Sequence, residues 1–232
     1  MKISAADIAE ASAVLRAGGW LSRTPAAFQD AILERSIWHH IEAGAALTHG
    51  GDREGGMYGI GQGSVDVTPA TGPADLPVVH IGRAPYWFGI LPVVSHAPRA
   101  VSIATRSDCL AAVVPQPALD ALLAAHPEWW QLLAMQALEH FSLAAQTTSD
   151  LLIPDTRRRC IAVLLRETGH RVGDVPRPQI DIGQDELAAM ANMSRQTAST
   201  VLRGLAAHGL IEIGYRTLTV RDAPQLQALL DG

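Results

Sequence analysis

Lysine is almost missing from this chain of 232 residues: of its 18 basic residues, all but Lys2 are arginine. No Gly-Lys-Ser/Thr phosphate loop can therefore be written anywhere along it. Cysteine is nearly as scarce. Cys109 and Cys160 are the only two, too few for a disulfide framework or for an all-cysteine iron–sulfur site from one chain. Both lie in apolar runs, which predicts buried, inert thiols. No apolar run approaches the roughly 20 residues of a membrane helix. The opening Met1 to Glu10 carries acids and lacks a secretory apolar core, so a cytoplasmic location with no membrane partner is expected. Gly59-Ile-Gly-Gln-Gly63 has the wrong glycine spacing for a dinucleotide loop and sits between strands rather than before a helix. His39-His40, adjacent on a predicted strand, point to opposite faces and make a poor metal pair.

What is present is an ordinary globular composition, 48% hydrophobic and 18% charged, with length enough for two modest domains. The net charge of −5 is uneven. From Asp155 onward ten arginines meet nine acids, giving +1, and the remainder carries −6. The second part is less repulsive to phosphate, but it is no basic footprint.

The chain opens with predicted helices over Ser4 to Ala17 and about Pro25 to Ser36. Short runs then follow at Ser36–Ile41, Met57–Ile60, Ser64–Val67, Pro77–Ile81, Arg99–Ala104 and Leu110–Val114. Gly, Pro and Asp clusters separate them, the pattern of an all-β barrel or roll. Gly50-Gly51-Asp52 and Gly61-Gln62-Gly63-Ser64 suit hairpin turns. After a short helix over Pro117 to Ala125, Pro127 starts a long helix to about Ile153. Ala134, Ala137, Phe141, Ala144, Thr148 and Leu151 recur along it at alternating spacings of three and four. That is a heptad seam, and it predicts a homodimer; a long helix packed only on its own β domain is the competing reading. Pro154 breaks the chain, and Asp155 caps the next helix. The expected organisation is a β-roll with N-terminal helices over residues 1–126, a dimerisation helix and hinge over 127–154, and a third region over 155–232.

Within that third region, Ile182 to Ile211 reads as two helices joined by a tight turn. Leu187, Ala188, Met190 and Ala191 face inward in the first. Asn192 tolerates the left-handed backbone of the turn, and Ser194 is a good N-cap. Over the second helix, residues 194–206, Ala198, Val201, Leu202 and Leu205 form an apolar face. Ser194, Arg195, Gln196, Ser199, Thr200 and Arg203 front the opposite side. A row of Arg, Gln, Ser and Thr at the front of an exposed helix suits base edges and phosphates of double-stranded DNA. Two strands follow around Gly214-Tyr215-Arg216, a wing whose Tyr215 and Arg216 are placed for a phosphate backbone.

The order of β-roll, long helix, hinge and winged helix-turn-helix resembles the CRP/FNR family of bacterial transcription regulators across nearly the whole chain. Ile182–Ile211 with its wing carries the likeness, together with Phe88-Gly-Ile-Leu-Pro-Val-Val-Ser-His-Ala-Pro-Arg-Ala100, which looks like the family's phosphate-binding cassette. Gly51-Asp52, Tyr58, Ile60 and Gly63 fit the same roll. The resemblance implies an α+β fold of a cyclic-nucleotide-binding-like double-stranded β-roll, a dimerisation helix and a winged helix-turn-helix. It implies a homodimer on a palindromic operator, a non-enzymatic role, and RNA polymerase among the partners open to such a protein. Its effector pocket would involve Phe88, Gly89, Ile90, Leu91, Arg99 and Ala100.

Departures from the family pattern alter these implications. Members that bind cyclic AMP use a Gly-Glu pair and an Arg followed by a small polar residue; here Gly89 and Arg99 match, but Ile90 and Ala100 do not. An isoleucine leaves the sugar hydroxyl unpaired, a loss on the order of 1–3 kcal/mol. The helix positions that would read adenine fall on Ala144 and Ala145. Tight cyclic AMP binding is therefore not expected, and no cofactor is identified. Either an anionic, nucleotide-like effector anchored by Arg99 remains, or Arg99 pairs with an acid in a vestigial roll. The family's oxygen-sensing cysteine cluster is absent, and His80 and His96 are haem-ligand candidates by location alone. At the recognition helix Arg195 matches a DNA-contacting position, while Gln196 and Thr200 replace the family's Glu and Arg, so a shifted operator is expected. Two alternatives account for less. A regulatory or interaction protein whose winged helix no longer touches DNA is one; a metal-dependent cupin-type enzyme, which leaves residues 155–232 unexplained, is the other.

Overall fold

Ser4 starts the first helix for a local reason: its hydroxyl accepts from Asp7 N–H at 3.1 Å while the Asp7 carboxylate accepts from Ser4 N–H at 2.9 Å, a reciprocal capping box. Helices α1 (Ala5–Ala17) and α2 (Ala26–Glu34) follow from it in the computed structural model, which describes residues 3–53, 55–72, 76–171 and 176–232. Strands β1 (Ile37–Ile41), β2 (Ala46–Thr48), β3 (Gly56–Gln62), β4 (Ser64–Pro69), β5 (His80–Arg83) and β6 (Tyr86–Phe88) come next. A short helix α3 (Ile90–Ser95) precedes β7 (Val101–Thr105) and β8 (Cys109–Pro115); α4 (Gln116–Ala125) and α5 (Trp130–Leu151) then complete the first half of the chain. The strands form two four-stranded sheets, ordered β1-β8-β3-β6 and β2-β7-β4-β5, the β-roll expected from the regular punctuation.

Alternation along β3, β6 and β8 sends Met57, Trp87, Ala112 and Val114 to the helical side of the first sheet. There they join Leu15, Trp20, Phe28, Ile32, Leu119 and Leu133 in one buried cluster. Aromatic edges organise it: Trp20 meets Phe28 and Trp87 edge-on, each at 5.6 Å between centroids. The Trp20 indole N–H donates to Leu132 O at 2.6 Å, anchoring the start of α5. Tyr58 and Phe88, paired in register, stack at 4.9 Å on the opposite face.

The strand expected at Pro77–Ile81 forms later, at His80–Arg83. The three-residue β2 and β6 are too short to show an alternating pattern in sequence. The long helix begins as a tight turn at Pro127–Trp129 before α5 proper.

Two units divide the chain, Met1–Leu76 with Ile81–His140, and Pro77–His80 with Phe141–Gly232, so the boundary runs through α5. In the second unit Asp155 accepts from Arg158 N–H at 2.7 Å and caps α6 (Thr156–Glu167), whose residues 160–167 are all buried. Then come β9 (Gln179–Ile180), α7 (Gln184–Met190), α8 (Arg195–Ala207), β10 (Ile211–Gly214), β11 (Thr217–Val220) and α9 (Ala223–Asp231). The three strands form one sheet ordered β10-β11-β9.

Inside this unit lies a cluster of charges. Arg166 Nη1 is 2.8 Å from Asp150 Oδ2, and its Nε is 3.3 Å from Glu167 Oε1. Arg166 also donates to Val79 O at 3.3 Å. His80 Nδ1 lies 3.4 Å from the same Glu167 oxygen, and Arg171 pairs with Asp150 as well. The side chains of Asp150, Arg166 and Glu167 are no more than 1% exposed. Charges leave water at that depth only against close, opposite partners.

Candidate nucleic-acid interface and ligand cassette

The helix-turn-helix is held by its turn. Asn192 has φ of 47°, the left-handed backbone that asparagine tolerates better than most residues. Met193 N–H then returns to Ala188 O at 3.0 Å. Ser194 Oγ accepts from Thr197 N–H at 3.1 Å, satisfying one of the free donors that open α8. Ala198, Leu202 and Leu205 are wholly buried, while Val201 is half-buried. Arg159 on α6 braces the turn from behind, donating to Ala191 O at 2.8 Å, Asn192 O at 3.3 Å and Ile153 O at 2.7 Å.

On the other side of α8, Ser194, Arg195, Gln196, Thr200 and Arg203 are exposed and Ser199 is half-buried. Several lie along their own helix. Thr200 Oγ1 donates to Gln196 O at 3.0 Å, and Arg203 Nε to Ser199 O at 3.3 Å. Arg195 behaves differently: its Nε is 2.7 Å from Asp185 Oδ1 on α7. At the wing, Tyr215 is 91% exposed, and Arg216 is exposed with φ of 53°. The eight residues expected to meet DNA thus fall on α8 and the β10–β11 turn of one unit. Asp185 was not foreseen, because a pair ten residues apart across a turn leaves no periodic trace.

Four other arginines of this unit have structural employment. Arg158 donates to Leu230 O at 2.7 Å at the end of α9, Arg159 braces the turn, and Arg166 and Arg171 belong to the buried cluster. Arg157-Arg158-Arg159 reads as a basic run, yet two of its three members are spent on carbonyls.

The cassette lies in the first unit. Gly89 has φ of +98°, and a Cβ there would stand 2.4 Å from Gly56 O, so glycine is required on both counts. Phe88 is buried, Leu91 is 44% exposed and Ala100 is exposed. Ile90, at the position of the family's glutamate, is 4% exposed and belongs to the helical-side cluster. Arg99 is buried, with Nη2 donating to Gly56 O at 3.4 Å and the guanidinium carbon 5.5 Å from the Tyr58 ring centre. Burial pushes its pKa below the usual arginine value, against the opposing pull of Tyr58 and Asp52. Its backbone is fixed to a glycine turn: Arg99 N–H donates to Asp52 O and Gly51 N–H to Arg99 O, both at 2.9 Å.

Along α5 the predicted seam is mostly on the surface. Ala134, Ala144 and Thr148 are exposed, Phe141 is 70% exposed and Leu151 37%. Ala137 departs from that row, being half-buried against the first unit's own core, while its neighbour Leu138 is 63% exposed. The exposed residues along this side of α5 are thus Ala134, Leu138, Phe141, Ala144, Ala145, Thr148 and Leu151.

Of the two candidate haem ligands, His80 sits in the buried charge cluster and His96 ends α3 with φ of 53°. Among the described residues no group of three His, Cys, Asp or Glu is arranged to hold a metal ion. Cys109 and Cys160 are buried; burial pushes the Cys109 thiol up and the Cys160 thiol up to about 12. No helix among the described residues is long and apolar enough to cross a membrane.

Comparison with known proteins matches both regions independently. Residues 38–126 match the cyclic nucleotide-binding domain, and residues 158–229 the Crp-like helix-turn-helix domain. The chain is 37% identical over 84 residues to a Thermus thermophilus protein named cyclic AMP receptor protein, an alignment covering 36% of this chain and 37% of that one. Against the CRP-like cAMP-activated global transcriptional regulator of Mycobacterium tuberculosis it is 25% identical over 142 residues, 60% of this chain and 63% of the relative. It thus spans less than two thirds of either curated relative. The structure of FixK2 from Bradyrhizobium japonicum shares the fold, with a TM-score of 0.70 at 14% identity over 84% of this chain and 96% of that one. With a nucleotide-binding-type roll and a Crp-like helix-turn-helix in one polypeptide, the chain belongs to the CRP/FNR family of transcription regulators.

Proposed function

We propose that the protein binds double-stranded DNA as a homodimer on a palindromic operator and regulates transcription from it. One observation carries this reading. The polar row of α8, Arg195, Gln196, Thr200 and Arg203, stands exposed above a face whose Ala198, Leu202 and Leu205 are fully buried. Arginine suits guanine O6 and N7, and glutamine suits adenine N6 and N7. The names of the relatives support the regulatory role: one is a cAMP-activated global transcriptional regulator.

The homodimer is supported by α5. Leu138 and Phe141 are 63% and 70% exposed, and with Ala134, Ala145 and Thr148 they repeat at four, three, four and three residues. A second copy of the same stripe is the natural cover for it. Half-sites roughly 34–36 Å apart, one helical turn, would follow from two-fold symmetry. For the roll we propose an anionic effector other than cyclic AMP, held at Arg99. Ile90, turned into the core, offers a sugar hydroxyl no acceptor.

The test is selection of bound duplexes from random DNA by the full chain, with and without cyclic AMP. The expected result is one palindromic consensus, unchanged by the nucleotide, bound with an affinity that falls steeply as salt rises. Absence of any salt-dependent enrichment would mean an interaction protein that does not touch DNA. A consensus that appears only with cyclic AMP would refute the effector part alone.

A further inference from the structure

We propose that Asp185 is a specificity-determining residue of the DNA interface, acting as a buttress that presents Arg195 to a guanine. This rests on the DNA reading above. Arg195 is the first residue of α8, just after the Ser194 cap, where no preceding helical turn constrains a long side chain. Its side chain is 79% exposed, and a free arginine there would sample many rotamers. Among the described residues, the one group that holds its guanidinium is the Asp185 carboxylate, itself 64% exposed, at 2.7 Å from Nε.

Which nitrogen is used decides what remains. The carboxylate approaches closest at Nε, so an end-on approach through the two terminal Nη groups stays compatible with the pair. Those two nitrogens form the fork that donates end-on to guanine O6 and N7. A guanidinium already fixed in direction loses less freedom on binding. An exposed pair of this kind contributes little to folding, so its consequence falls on recognition.

The carboxylate has a second effect. It largely cancels the charge of Arg195 at the surface, weakening a sequence-blind attraction to phosphate. The fork still offers donors to a neutral guanine edge. Asp185 therefore favours the base over the backbone, raising discrimination while holding down non-specific affinity. The pattern-matching residues of α8 lack this property by themselves; it needs a side chain from α7.

The experiment uses the full chain, the operator recovered by selection, and the same duplex with the Arg195-dependent G·C pair replaced. Affinities for both duplexes are measured for the wild type, Asp185→Ala, Asp185→Asn, Arg195→Ala and the double variant, with thermal melts as the folding control. The wild type should prefer the guanine duplex by about tenfold or more. Asp185→Ala should reduce that preference to about two- or threefold, chiefly by tightening binding to the replaced duplex. Asp185→Asn, which keeps an acceptor oxygen, should retain more of the preference than alanine does. In the Arg195→Ala background, Asp185→Ala should leave the preference unchanged. An equal shift on both duplexes in Asp185→Ala would make the residue a remote charge and overturn the buttress. A wild type that enriches no sequence would overturn the DNA reading and this proposal together.

Discussion

The C-terminal unit holds charged side chains in two settings of opposite kind. Asp150, Arg166 and Glu167 are shut away from solvent and pair with one another, with His80 and Arg171 at their margin. Arg195, Gln196 and Arg203 on α8 are exposed, Arg195 meeting only the exposed Asp185 carboxylate and Arg203 a carbonyl of its own helix among the described contacts. The same chemical groups thus serve the fold in one place and face solvent in the other. A charge census cannot separate the two roles. The +1 balance of the region from Asp155 onward includes four arginines, Arg158, Arg159, Arg166 and Arg171, already committed to internal carbonyls or carboxylates. Of the remaining arginines, Arg195 and Arg203 lie on α8 and Arg216 on the wing turn.

Removing one member of the inner cluster gives the sharpest break between the settings. Asp150 receives both Arg166 and Arg171, so Asp150→Ala takes a carboxylate from two guanidinium groups, one of them wholly buried and left with Glu167 and Val79 O. The expected cost is about 3–5 kcal/mol of stability, visible as a large drop in the urea midpoint. Arg195→Ala, by contrast, should move that midpoint by less than about 0.5 kcal/mol. A similar, small loss for both would show the inner cluster to be hydrated and the contrast false.

Alkaline pH probes the same buried helix by another route. Burial holds the Cys160 thiol up to about 12, against about 8.5 for an ordinary thiol. The unfolded chain therefore releases this proton first. Stability should be flat below about pH 8.5 and fall by up to about 1.4 kcal/mol per pH unit between that value and about 12, where the native thiol also ionises. At pH 10 the loss attributable to Cys160 is about 1–2 kcal/mol. Urea titrations at pH 7.5 and pH 10 on the wild type and Cys160→Ala measure it as the difference in slope. Equal slopes would mean that water reaches the thiol in the native state.

Local chemistry made much of this fold legible in the sequence. Asn192 at the turn, Ser194 and Asp155 as caps and the inward Ala198, Leu202 and Leu205 follow from side-chain preferences and spacing alone, and the structure places them so. The β-roll shows through its Gly, Pro and Asp punctuation. Residues whose roles depend on distant partners were not legible. Arg159 reaches a carbonyl 32 residues away and Arg158 one 72 residues away, and neither periodicity nor charge announces such a reach. Ala137 and Leu138 differ by one position, and only the packing of Ala137 on its own core decides which faces outward. At Ile90 the missing glutamate was visible from the residue type. That the side chain serves the core cluster was not.

The wing turn gives the smallest effect and the finest test of the contrast, because at Arg216 the proposed DNA contact and the fold would favour different residues. Arg216 has φ of 53°, a backbone that costs an L-residue roughly 1–2 kcal/mol and a glycine almost nothing. Glycine would suit this position better, and nothing in the described contacts of the turn requires a guanidinium. Arg216→Gly should therefore stabilise the protein by about 1 kcal/mol, less the greater freedom glycine adds to the unfolded chain. If Arg216 meets phosphate, the same variant should bind every duplex more weakly by a common factor and lower the salt slope by about one. Stability rising while affinity falls identifies a strained residue kept for a partner. If both rise together, the wing does not touch DNA and the exposed charges that matter are those of α8 alone.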